Sequence, residues 1–135
     1  MAQRRWLVKT EPDEYAYDDL EREGVGVWDG VRNATALRHL RGFTPGDEVL
    51  VYHTGRERRV VGLARVVRGA YPDPSAGDPR YVVADLAPVR RLEPPVTLAE
   101  IKADPALAAC DLVRLPRLSV MPVPAVLWRR VVGRR

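Results

Sequence analysis

Two runs rich in β-branched residues constrain this chain most: Val49-Leu50-Val51-Tyr52 and Val60-Val61-Gly62-Leu63-Ala64-Arg65-Val66-Val67. Side chains branched at Cβ sit well on a pleated surface, and turn formers bound both runs, so each predicts a strand. Thr44-Pro45-Gly46-Asp47 makes the turn into the first, and Thr54-Gly55-Arg56 begins a loop between them. A further strand is expected from Tyr81 to Leu86, continuing through Val89 to Leu92, after the Pro72 to Pro79 loop. Arg4 to Thr10 reads as the first strand, with Trp6 and Val8 facing one way. It stops at Glu11-Pro12 because the residue before proline is pushed out of helical geometry. Val25 to Trp28 makes a brief extended piece.

Elsewhere the period becomes helical. Asp13 is placed to cap a helix over Tyr17 to Glu23, which Gly24 would end. From Arg32 to Arg41, Ala34, Leu37 and Leu40 recur at helical spacing, and Gly42 supplies the stop. Leu98 to Lys102 and Ala125 to Val132 also read as helices, the second with Val126, Leu127 and Val131 on one flank. Short strands joined by turns, with helices outside them, predict an α+β fold built on a small mixed β-barrel with peripheral helices.

A length of 135 residues suits one domain spanning 1–135, and no repeat, low-complexity tract or long linker divides it. No run of about 18 apolar residues offers a membrane span. The segment Met1-Ala2-Gln3-Arg4-Arg5-Trp6 lacks the apolar stretch of a secretory signal, so a cytoplasmic monomer is expected. A lone cysteine, Cys110, excludes an internal disulfide and a cysteine-rich zinc site; its apolar neighbours make it a small buried side chain. No metal site and no cofactor are predicted.

The net charge of +4 and pI of about 9.6 favour a polyanionic partner. Clustering sharpens the point: Arg56, Arg58 and Arg59 share a turn, and Arg90-Arg91, Arg114 with Arg117, Arg129-Arg130 and Arg134-Arg135 follow. Such groups can neutralise phosphates, although any one of them could equally be a solvated surface.

Trp28-Asp29-Gly30-Val31-Arg32-Asn33 packs a large flat ring and two rigid planar polar tips into six residues ahead of a helix. Trp offers a stacking face, Asn a donor beside an acceptor, and Arg a planar fork of donors. Together they suit a flat heteroaromatic ligand such as a nucleobase. The plainer alternative makes Trp28 a core anchor and Asp29-Gly30 a turn.

With Trp6-Leu7-Val8-Lys9-Thr10-Glu11-Pro12, Tyr17-Asp18-Asp19-Leu20, Gly46-Asp47, Tyr52-His53, Tyr71-Pro72-Asp73 and Arg117-Leu118-Ser119-Val120-Met121-Pro122-Val123 in the same order, the chain resembles the EVE domain family from Trp6 to about Trp128. It departs at Ala34-Thr35, where many members carry an aromatic followed by a polar residue, and at Thr54, where serine is frequent. The resemblance implies a PUA-like barrel. It also implies a pocket for a modified base, since EVE domains are regarded as relatives of modules that read flipped nucleotides.

An extruded base must recover roughly a few kcal/mol of lost stacking and pairing. Trp28 is the candidate platform, Asn33 could read a base edge or cap the helix, and Lys9, Arg32, Arg58, Arg59 and Arg117 could hold phosphates. Lys9 could also line the base pocket. Glu11 and Asp73, in proline-bounded loops, could accept from an exocyclic amine of cytosine or adenine, or simply cap those loops. Tyr52 and His53 end a strand, so only one of them faces a pocket through that strand. Ser119 could donate to a base or to the backbone. A hydrolytic site built on His53 with Asp73 or Glu11 has no motif behind it. The expected partner is therefore DNA or RNA carrying a modified base, with a hydrolase or an RNA-processing accessory module binding RNA by shape as alternatives.

Overall fold

A computed structural model describes residues 4–133. Arg134-Arg135 therefore lies outside the described residues. Among the described residues, six strands form one sheet: β1 Arg5–Thr10, β2 Gly26–Trp28, β3 Glu48–His53, β4 Arg59–Pro72, β5 Val82–Thr97 and β6 Val120–Pro122. Their order is β2-β5-β4-β3-β1-β6. The sheet curls into a half-barrel with five short helices, as expected of a PUA-like α+β fold.

The two long strands make the curl. β4 and β5 run for 14 and 16 residues, and their pairing slips register at several points, such as between Val60 and Gly62 and between Arg68 and Tyr71. Each slip leaves residues of β5 or β4 without a ladder partner, which bends and twists a strand that would otherwise lie flat. Gly62 sits at one of them. A Cβ there would come within 2.6 Å of the Tyr17 ring, whose hydroxyl donates to the Leu63 carbonyl at 2.6 Å. Only glycine admits Tyr17 so close.

β1 and β3 pair in parallel, so a crossover must join them. That crossover carries α1 (Tyr17–Glu23), β2 and α2 (Ala34–Arg41). It sets Lys9 beside Tyr52 and Thr10 beside His53 at the carboxyl ends of both strands.

Helix α1 begins differently from the sequence expectation. Asp13 does not cap it. Instead the Asp19 carboxylate accepts from Ala16 N at 2.7 Å, and His53 Nε2 accepts from Tyr17 N at 3.0 Å. Gly24, at φ 77°, ends the helix as expected. α2 starts at Ala34 rather than Arg32 because Asn33 is its cap, accepting from Ala36 N at 3.0 Å. α3 (Leu98–Lys102) follows β5 directly. A single 3-10 turn (Pro105–Leu107), α4 (Asp111–Arg114) and β6 make up a stretch with no sequence prediction. α5 (Ala125–Val132) buries Leu127, Trp128 and Val131, while Val126 is exposed. Cys110 is buried and free.

Candidate nucleic-acid interface

The carboxyl ends of β1 and β3 meet the chain at Pro116, and Lys9 also lines a hollow with Trp28 at the end of β2. The Lys9 backbone N donates to the Ser119 carbonyl, and its ammonium to the Pro116 carbonyl, both at 2.9 Å. The ammonium also lies 5.4 Å from the centre of the Tyr52 ring. Burial lowers the Lys9 pKa from its ordinary value of 10.5, because leaving water disfavours the charged form.

Hollows open on both sides of Lys9. One, of about 310 Å³, is walled by Lys9, Thr10, Glu14, Tyr15, Val27, Trp28 and Asp29. It lies at the lower end of the roughly 300–1,000 Å³ typical of small-molecule sites. Tyr15 meets Trp28 edge to face, with ring centres 5.8 Å apart. The Tyr15 hydroxyl donates to Glu23 at 2.6 Å, and burial followed by that carboxylate raises its pKa, which keeps it protonated. Trp28 is only 5% exposed and belongs to the core cluster. Its indole N–H has no acceptor among the described residues and is not sealed from solvent, so it remains an unspent donor.

The second hollow, of about 210 Å³, is lined by Lys9, Tyr52, Arg58 and Lys102 with apolar neighbours. A third, of about 370 Å³, touches it at Pro116 and is lined by Asn33, Thr35, Arg117 and Leu118 among others. Trp28, Tyr52 and Asn33 thus line three neighbouring hollows rather than one pocket.

Several candidates are occupied structurally. Glu11 accepts from Asp13 N at 2.9 Å, and its backbone carbonyl accepts from Glu14 N and Tyr15 N. Asp73 is buried in its own loop, accepting from Ser75 N at 2.9 Å and Ser75 Oγ at 2.8 Å; these bonds hold its pKa below the ordinary carboxylate value. Both ring nitrogens of His53 are engaged, Nε2 by Tyr17 N and Nδ1 by Glu57 at 2.9 Å. Arg32 lies 4.3 Å over the Tyr81 ring, and Arg59 pairs with Glu57 at 3.1 Å. Sequence reasoning missed Glu14, Asp29, Tyr15 and Lys102. Asp29 was visible inside the Trp28-Asp29-Gly30 motif, whereas no local signal marks the other three.

The arginine clusters divide in the same way. Arg91 bonds Asp18 and Glu21, Arg114 pairs with Asp111, and Arg130 with Asp104. Among the described residues, Lys9, Arg58 and Lys102 make no ion pair.

A curled mixed sheet with hollows at its strand ends, beside unpaired cations, defines a PUA-like domain. The EVE domain pattern matches residues 4–134, and the chain belongs to that family. Thymocyte nuclear protein 1 of Mus musculus is 30% identical over 87% of this chain and 67% of its own length. The Homo sapiens protein is 31% identical over 73% of this chain, which spans only 55% of that relative. A solved protein from Rhodopseudomonas palustris superposes with a TM-score of 0.89 at 39% identity, covering 95% of this chain and 90% of that one. Human THYN1 in complex with 5-methylcytosine-containing DNA gives 0.86 at 28% identity, covering 95% of each. Family membership and that complex support a nucleic-acid-binding domain. No helix among the described residues is long and apolar enough to cross a membrane, and the expected cytoplasmic location gains no support from relatives named as nuclear proteins.

Proposed function

We propose that this chain, acting as a monomeric single domain, reads DNA by holding one modified cytosine in the hollow between Lys9 and Trp28. The observation that carries this reading is the mixture of groups around the hollow. Asp29 and Glu14 supply acceptors that suit an exocyclic amine, while Lys9 and the free Trp28 N–H supply donors that suit a ring carbonyl or nitrogen. Tyr15 and Val27 add apolar wall. Such a set matches a cytosine edge, which presents one amine donor beside two acceptors, the ring nitrogen and the carbonyl. The methylcytosine complex of the human relative supports the same ligand class. In this reading Asp29 and Glu14 take the acceptor role first expected of Glu11 and Asp73, which serve their own loops, and Ser119 acts through its carbonyl by fixing β1.

The domain binds without turnover in this reading. His53 has both nitrogens committed, to α1 and to Glu57, and neither bonds Asp73 or Glu11.

Oligonucleotides differing only in one 5-methylcytosine test the proposal. The methylated strand should bind more tightly, and Asp29→Ala, which removes an acceptor for the amine that both cytosines carry, should weaken binding of both strands. Equal binding of methylated and plain strands would remove the base-reading role.

A further inference from the structure

The smaller hollow beside Lys9 has features that the fold does not need. Lys9, Arg58 and Lys102 converge on it, and no carboxylate is among its lining residues. The Glu11 carboxylate lies against Gly55 on the rim, so three cations face the hollow beside a single acid and an anion inside it is favoured. Tyr52 is 3% exposed, yet its hydroxyl has no hydrogen-bond partner among the described residues and is not sealed. Burial raises its pKa, which keeps it a donor. Lys9 spends one ammonium proton on Pro116 and has two left.

Arg58 adds an independent sign. It is the one non-glycine among the described residues with positive φ, at 45°, a conformation that costs a side-chain-bearing residue energy. Its backbone is held there by Leu98 N, which donates to the Arg58 carbonyl at 2.8 Å. Arg59, its neighbour, follows the strand and pairs with Glu57. Leu98, Leu112 and Val113 close the hollow with apolar surface, which strengthens any charge interaction inside it.

We propose that this hollow holds the phosphate adjoining the bound base, gripped by Lys9, Arg58, Lys102 and the Tyr52 hydroxyl. The inference rests on the base-reading proposal, because Lys9 lines both hollows and so stands between base and phosphate. Arg58 and Lys102 are phosphate-holding residues, and Arg59 is not.

Short single strands carrying one 5-methylcytosine, with the phosphates on either side replaced one at a time by neutral methylphosphonate, provide the test. One of the two replacements should weaken binding to the unmodified protein about tenfold, the scale of one charge-assisted contact. The Arg58→Ala/Lys102→Ala double variant should bind more weakly at the outset and be insensitive to that same replacement. Its salt dependence should be shallower, by up to about one phosphate's worth of slope. Arg59→Ala should retain the full sensitivity. Thermal melting of each variant verifies the fold, since all three positions lie at or near the surface. The inference is overturned if neither replacement matters, or if the double variant loses as much as the unmodified protein. It is equally overturned if inorganic phosphate alone raises the melting temperature as much as the strand does, which would make the hollow a free-phosphate site. Loss of preference for the methylated strand in the unmodified protein would instead strike the base-reading proposal.

Discussion

Trp6 and Trp28 are both 5% exposed, yet they do different work. Trp6 lies near the amino end of β1. Its indole N–H donates to Asp47 Oδ2 at 2.9 Å, and its ring packs against Phe43 at 5.0 Å and His39 at 6.2 Å. Asp47 is itself buried and also accepts from Arg4 N and Thr44 N. Every polar group of that knot is satisfied from within, leaving nothing for a ligand. Trp28 ends β2, meets one aromatic edge to face, lines a hollow, and leaves its N–H without an acceptor among the described residues. Burial alone therefore does not separate a structural tryptophan from one beside a site; the fate of the indole N–H does.

The largest effect should come from Trp6→Ala, which removes a core ring and strands Asp47. A loss of about 3–5 kcal/mol is expected from the denaturant midpoint. Trp28→Ala should also destabilise, so phenylalanine separates the two sites better. Trp6→Phe should cost about 1–3 kcal/mol, by depriving a buried carboxylate of a donor, with selectivity between methylated and plain strands intact. Trp28→Phe should instead leave stability within about 1 kcal/mol while weakening binding of methylated and plain strands alike severalfold. Matching losses of stability in the two Phe variants would break the distinction.

Asn33→Ala sharpens it on a smaller scale. The side chain caps α2, so its loss should cost about 0.5–2 kcal/mol of stability and leave strand selectivity unchanged. A compressed selectivity ratio at full stability would return Asn33 to the reading role that its chemistry first suggested.

The smallest effect concerns pH at Lys9. Its folded pKa is lowered, so between that value and 10.5 the unfolded chain binds more protons than the folded one. Stability of the free protein should therefore rise gently with pH across that window, and Lys9→Met should lack the increment. Strand affinity should fall over the same window, as the cation facing the Tyr52 ring, Arg58 and Lys102 loses its proton. A titration of affinity against pH that matches Lys9→Met would show that the ammonium takes no part.

Local chemistry was legible without a structure wherever neighbours in sequence decide the outcome. β-branched runs made β3 and the first half of β4, Gly24 stopped α1, and α3 formed over Leu98–Lys102 as expected. The ordered motifs sufficed to mark an EVE domain. What failed locally was the α1 cap, because His53 supplies part of it from 36 positions away.

The site was different, since many of its members are chemically interchangeable in sequence. Glu11 and Glu14, Asp29 and Asp73, or Arg58 and Arg59 cannot be ranked by type or spacing. Tertiary structure ranked them by deciding which found a partner. Glu11, Asp73 and Arg59 were satisfied within their own loops, whereas Glu14, Asp29 and Arg58 were left facing open space. The parallel register of β1 and β3 then set Lys9 beside Tyr52, across 43 positions, and so put one cation between two hollows. Sequence determines the period and ends of each element because those depend on adjacent residues. Which side chains remain free depends on register and crossover between distant strands, and only the folded sheet decides that.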